Sequence, residues 1–275
     1  MPARSCCVGR LCSLLFLLAL AVLPAACHRI PKAAGSFTVG GRGVHVWTPQ
    51  HHDPAKAYPV VLMLHGWRGT GAFFEEWFEM EKYTDVRAIV VYPDAREGVW
   101  DFHGDTDLDF LATVLDEVAM RWKVDRSRVL AFGFSFGAKM AQHLGCKRPD
   151  LVKAVAAGAG SWASKVPACQ KPLPVIMVQR TTDTNESMTD AKAAAERWAS
   201  FEGCAAVPAP SPLGNGCQVR SGCQVPGSVT FCEDTHSDPK WKDSYNHTVR
   251  EEYRALVWRW FAALPAHATG GARAW

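Results

Sequence analysis

The pentapeptide GFSFG, residues 133–137, sets one serine between two glycines where an apolar run meets a helix-like run. A serine hydroxyl becomes a nucleophile only where a histidine takes its proton and a carboxylate orients that histidine. The flanking segments suit that chemistry. RVLAFGF reads as a strand and FGAKMAQHLGCKR as a helix, so Ser135 falls on a sharp strand-to-helix turn. Such a turn exposes the hydroxyl and demands small neighbours two residues away on each side, which Gly133 and Gly137 provide. It also aims the first N–H groups of the helix, beginning at Phe136, toward a developing oxyanion.

In this arrangement the acid and then the base follow the serine, each beyond the C-terminal end of a strand. LPVIMVQRTTDTNES puts Asp183 past the apolar strand Val175–Val178, and Asp183 is the expected acid. Asp190 lies at a helix start, where a cap explains it. Two histidines compete for the base. His236 lies three residues past Glu233, at the end of the strand SVTFCED. His247 precedes Thr248, which with Glu251 resembles a capping box, and a helix dipole there would disfavour an imidazolium. The expectation is His236, with His247 as the alternative. LMLHGWRGTG is expected to supply the second oxyanion donor: Gly66 lets the chain turn closely, so that the N–H of Trp67 can face the site. Trp67 also suits a substrate wall. His65 reads as a hydrogen bonder that organises this loop, and His143, on the helix after the serine, as structural. The chemistry calls for no metal and no organic cofactor.

The elements that must position these residues alternate. Strand patterns at Gly35–Pro49, VVLMLHGW and Arg87–Asp94 precede a helix at Asp107–Val124. The Ser135 strand and helix follow, then KAVAAGAG and LPVIMVQRT as strands, TDAKAAAERWASFE as a helix, SVTFCED as a strand and VREEYRALVWRWFAAL as a closing helix. This alternation predicts an α/β fold with a mostly parallel sheet covered by helices on both faces. Val207–Cys217, rich in Pro and Gly, reads as a surface loop.

Residues 1–27 read as a secretory signal. Arg4 and Arg10 precede the apolar run Leu11–Leu23, which is shorter than a bilayer span, and small residues follow. Cys27 after Ala25-Ala26 also fits a lipid-anchoring cleavage site, although Pro24 stands where such sites usually carry Leu, so lipidation and simple cleavage both stay open. The domain then spans residues 35–264, and 265–275 form a tail with no element pattern. Beyond the signal lie six cysteines, at 146, 169, 204, 217, 223 and 232. In an exported chain their even number predicts up to three disulfides; without a C-x-x-C pair or a histidine cluster, zinc is the weaker reading. A net charge of +3, with no basic run, argues against nucleic acid as a partner.

The stretch from about Pro59 to Ala262 resembles the polyhydroxybutyrate depolymerase and feruloyl esterase family of secreted α/β-hydrolases, which includes acetyl xylan esterases. LMLHGW, YPDAREGVWDF and the run from Asp105 through VDRSRVLAFGFSFG to Cys146 carry the resemblance. It implies the α/β-hydrolase fold and ester hydrolysis on a small or polymeric ester, in the cell envelope or outside the cell. It also implies Ser135 as nucleophile, Asp183 as acid and a histidine after the last strand as base. The chain departs from the family at Gln179-Arg180, where His-Gly is frequent, and lacks the usual GGHTWPG around the histidine. Phe136 and Lys139 replace smaller or apolar residues, and Phe136 narrows an acyl pocket. Two other functions stay open: a binding module that has lost catalysis, and a serine peptidase on the same fold.

Overall fold

The computed structural model describes residues 35–49, 51–85, 87–162, 169–225, 229–236 and 246–265. All of them belong to the larger of two units, Pro31–Trp275, the other being Met1–Ile30. The expected signal with Cys27, and the tail past residue 265, lie outside the described residues.

One sheet carries the fold. Its centre is six parallel strands in the order β4 (Ile89–Pro93), β3 (Tyr58–Leu64), β5 (Val124–Phe134), β6 (Ala154–Gly158), β7 (Val175–Arg180) and β10 (Val229–Asp234). An antiparallel hairpin, β1 (Gly35–Val39) and β2 (Arg42–Trp47), extends it beside β4, turning at Gly40-Gly41. The short antiparallel strands β9 (Cys217–Val219) and β8 (Ala209–Pro210) close the far edge. Every residue of β4, β6 and β7 is buried. Successive strand residues face opposite sides, so continuous burial means that both faces of the centre are covered.

The covering helices are α1 (Gly71–Phe78), α2 (Thr106–Arg121), α3 (Phe136–Lys147), α4 (Met188–Phe201) and α5 (Glu251–Ala263). α3 packs on β3, β5 and β6, α4 on β7 and β10, α1 on β2 and β4, and α2 on β1. The helix at 71–78 has no counterpart in the elements expected from the sequence. It forms because the Thr70 hydroxyl caps the Phe73 N–H, and Phe74 and Phe78, four residues apart, bury the same face. The expected irregular loop at 207–217 contributes β8, where Pro210 is tolerated because the strand is at the sheet edge.

All six cysteines are paired, as Cys146–Cys169, Cys204–Cys223 and Cys217–Cys232. Cys217 and Cys232 stand directly opposite in the β9–β10 ladder. Their bond fastens the short edge strand to β10, the strand that leads into the histidine segment. Among the described residues no helix is long and apolar enough to cross a membrane.

The Cys217–Cys232 bridge closes a loop of 15 residues. Loop-closure entropy alone assigns such a bridge about 3 kcal/mol. Replacing both cysteines by serine should lower unfolding stability by about that amount. Urea denaturation reads it, and an unchanged midpoint would contradict the assignment.

Candidate active site

Ser135 ends β5 and opens α3 with φ 55° and ψ −118°, a conformation that L-residues rarely adopt. The surrounding hydrogen bonds hold it there. Its N–H donates to Gly158 O at 2.9 Å, and its carbonyl accepts from the N–H groups of Ala138 and Lys139 at 3.0 and 3.2 Å. The turn closes only because its flanks carry no Cβ. A methyl on Gly133 would fall on the Gly137 carbonyl, and one on Gly137 would fall on the Leu64 carbonyl. Helix α3 therefore seats directly on the end of β3.

The Ser135 hydroxyl meets a histidine. Nε2 of His247 lies 2.9 Å from Oγ, and Nδ1 lies 2.9 and 3.1 Å from the Asp183 carboxylate oxygens. Asp183 can only accept, so this network assigns the proton to Nδ1 and leaves Nε2 free to accept from the serine hydroxyl. Asp183 stands three residues past β7, and its side chain is fully buried. Its Oδ1 also accepts from the N–H groups of Asn185 and Glu186 at 2.9 and 3.1 Å, and its Oδ2 from the Gln179 amide at 3.1 Å. Burial alone would raise the carboxyl's pKa. The hydrogen bond and charge of His247, with the two backbone donors, outweigh burial and hold it below its ordinary value.

The structure thus brings Ser135 and Asp183 together with His247, against the preference for His236. His236 lies two residues past β10 with its side chain exposed; its N–H bonds Asp234 Oδ1 and its carbonyl accepts from Arg180. The sequence pattern predicts Thr248 as the N-cap of a helix that begins at Val249. The helix starts at Glu251 with Arg250 as its N-cap, so no capping box forms and His247 stands clear of the dipole end. Two arginines hold its segment in place. Arg254 Nε donates to Val249 O and its Nη1 to Phe78 O, while Arg250 Nε bonds the buried Asp234 at 2.7 Å. The Phe134 ring packs 4.9 Å from the imidazole.

Of the expected oxyanion residues, Phe136 directly follows the serine and Trp67 follows Gly66, which approaches it. Phe136 opens α3, and the first N–H groups of a helix have no intrahelical acceptor. Gly66 passes so close that a Cβ there would touch the Phe134 ring and the Ser135 Cβ. The Trp67 and Phe136 rings lie 6.4 Å apart, and Trp67 is 57 % exposed. His65 organises this loop. Its Nε2 accepts from Ala95 N–H at 3.0 Å, its Nδ1–H donates to Gly66 O at 2.8 Å, and its carbonyl accepts from the Trp100 indole at 2.9 Å. Burial lowers its pKa and so favours the neutral ring these bonds need. His143 is likewise buried, on α3, bonded to Gly104 O and set edge-on to Trp162.

Residues without a motif complete the site. Lys139 on α3 pairs with Glu186 at 2.6 Å and ties the acid segment to the serine's own helix. Nothing in sequence spacing marks Glu186 or Arg254, because their partners are distant along the chain. Among the described residues no cluster could hold a metal ion.

No family model matches this chain. It is 27% identical over 223 residues to a probable feruloyl esterase C of Aspergillus clavatus, covering 76% of this chain and 81% of that protein. It is 26% identical over 213 residues to feruloyl esterase C of Emericella nidulans, covering 74% and 78%. Among solved structures it resembles an acetyl xylan esterase from Aspergillus awamori, with TM-score 0.61 and 16% identity, over 82% of this chain and 98% of that one.

Two measurements check the geometry. Gly137→Ala places a methyl on the β3 carbonyls and should destabilise the fold by about 3 kcal/mol in urea denaturation; a loss below about 1 kcal/mol would mean that the turn relaxes. The ionised Asp183 stabilises the fold above its unfolded pKa of about 3.9, and that contribution is lost as pH falls through its lower folded value. Asp183→Asn should therefore lose less stability than the parent on acidification below about pH 4, a difference that thermal unfolding across pH would reveal.

Proposed function

We propose that this chain, a feruloyl esterase-like α/β-hydrolase, hydrolyses carboxylic esters through a serine-bound acyl-enzyme. One observation carries the reading: Ser135 Oγ, the His247 ring and the Asp183 carboxylate lie in one hydrogen-bonded line, with neighbouring contacts of 2.9 Å. An assembled line of this kind supports catalysis over an inert binding role.

His247 Nε2 takes the Ser135 proton as Oγ attacks the ester carbonyl. The imidazolium so formed is stabilised by Asp183, whose buried, hydrogen-bonded carboxylate stays ionised. The N–H groups of Phe136 and Trp67 receive the tetrahedral oxyanion. His247 then passes its proton to the leaving alcohol, and the acyl group stays on Ser135. A water, deprotonated by the same Nε2, attacks the acyl-enzyme; the proton returns to Oγ and the acid departs. Each step uses only side chains and backbone donors of this chain.

The likeness to feruloyl esterases and an acetyl xylan esterase supports feruloyl or acetyl polysaccharide esters as the substrate class. The exposed Trp67, beside Phe136, suits the face of an aromatic acyl group or a sugar ring. Export is part of the reading: the leader pattern at residues 1–27 and three disulfides both fit an oxidising compartment.

p-Nitrophenyl acetate hydrolysis by purified variants tests the assignment. Ser135→Ala and His247→Ala should each lower kcat at least about 1,000-fold, whereas His236→Ala should stay within about threefold of the parent. Full activity in His247→Ala would overturn the base assignment, and full activity in Ser135→Ala would overturn the mechanism. Trp67→Ala should reduce kcat/KM on methyl ferulate about tenfold and on p-nitrophenyl acetate far less. Equal losses on both esters would remove Trp67 from substrate recognition.

A further inference from the structure

Gln179 is the penultimate residue of β7 and is 2 % exposed. Its side-chain Nε2 donates to Asp183 Oδ2 at 3.1 Å and to the Glu186 carbonyl at 3.0 Å. One amide thus holds both ends of the four-residue segment that carries the acid. The same Oδ2 receives Nδ1 of His247 at 2.9 Å, so the Gln179 amide and the imidazole share one oxygen. Oδ1 is anchored separately by the N–H groups of Asn185 and Glu186. Those two donors belong to a turn that Gln179 closes from inside, while Glu186 is held from outside by its ion pair with Lys139 and by Ser161.

The amide has a chemical property that matters at this position: it donates at every pH and carries no charge. A lysine or arginine would add a cation beside the carboxylate and compete with the imidazolium for its field. A neutral histidine has one N–H and could donate to two acceptors only as the charged imidazolium. The other charged groups on the neighbouring elements are paired among themselves, Lys139 with Glu186, and Arg180 and Arg250 with Asp234. The neutral amide is therefore the side chain that sets the position of Oδ2 without altering the charge balance of the line.

We propose that Gln179 is a positioning residue of the Ser135–His247–Asp183 line, acting by fixing Asp183 Oδ2 against the imidazole and by closing the 183–186 turn. The proposal rests on the serine-esterase reading above. It separates Gln179 from a residue that merely fills the core, because the shared oxygen links its amide to the proton balance of His247. Loss of the amide donor leaves the Oδ2 charge to the imidazolium alone, which favours the protonated ring and moves the acid limb of the rate profile to higher pH.

The test uses the mature full-length protein with Gln179→Met, which removes the donor at similar volume, and Gln179→Glu, which keeps the shape and adds charge. The concentration of active sites is titrated with a fluorophosphonate, and kcat and KM for p-nitrophenyl acetate are measured across pH. Gln179→Met should lower kcat per titrated site about 10- to 100-fold with KM within about twofold, and shift the acid limb of kcat/KM upward. Gln179→Glu should shift that limb further in the same direction, and it serves if the methionine variant does not fold. Parent-like kcat in the folded variants, or a loss with no movement of the acid limb, would overturn the proposal. A Ser135→Ala control keeps the two ideas apart: if it retains activity the esterase reading fails, and if it is inactive while the Gln179 variants match the parent, only the positioning role fails.

Discussion

The left-handed backbone of Ser135 is the constraint around which this structure is arranged. A non-glycine residue at φ 55° is strained, by roughly 1–3 kcal/mol, and persists only where its surroundings over-determine it. Here they do. Strand β5 fixes the approach, the Gly158 carbonyl takes the serine N–H, and α3 takes its carbonyl. The absence of Cβ atoms at Gly133 and Gly137 lets helix and strand ends interlock. The strain keeps the hydroxyl at the C-terminal edge of the parallel sheet. Neighbouring loops converge there, because the crossover connections of the parallel core place successive strand ends side by side.

Around that hydroxyl the polar groups are buried in pairs and chains. Asp183 is a fully buried carboxylate whose every observed partner is a donor: an imidazole, an amide and two backbone N–H groups. A buried charge without such partners would be expensive enough to protonate instead. Asp234, also buried, serves the same site one layer back. It binds Arg250 beside the histidine segment, lies 3.5 Å from Arg180, and accepts the His236 N–H. Arg254 adds a brace from α5 to Phe78 at the end of α1, crossing the Phe78 ring at 4.3 Å. The histidine is therefore held by the tertiary framework rather than by its own short segment.

The strand edge where this happens is reinforced covalently. β9 is three residues long, too short to hold by ladder bonds alone, and the cross-strand disulfide to Cys232 fastens it to β10. Cys204–Cys223 ties the connection after α4 to the segment just before β10, and Cys146–Cys169 ties the end of α3 to the approach to β7. Each bridge lies one connection away from the Ser135, Asp183 or His247 segment, where it restrains the frame without entering the chemistry.

Much of this was legible in the residues. The small flanks of Ser135, the apolar run before it and the position of Asp183 past an apolar strand are local facts, and local sterics and strand periodicity were enough to place them. The count of cysteines limited the pairings but not their partners, since pairing depends on which strands become neighbours. The choice of histidine was different. His236 and His247 both follow the last strand, and the local pattern places the helix start, which counts against His247, two residues earlier than Glu251, where the helix begins. Sequence alone determined the α/β alternation, the nucleophile candidate and the acid candidate, because these follow from short-range pattern. Only the tertiary structure decided that His247, and not His236, meets Ser135 at 2.9 Å, and that Gln179, Lys139 and Arg254 brace the line. Those contacts join residues far apart in the chain, and their distances exist only once the sheet has set its strand ends side by side.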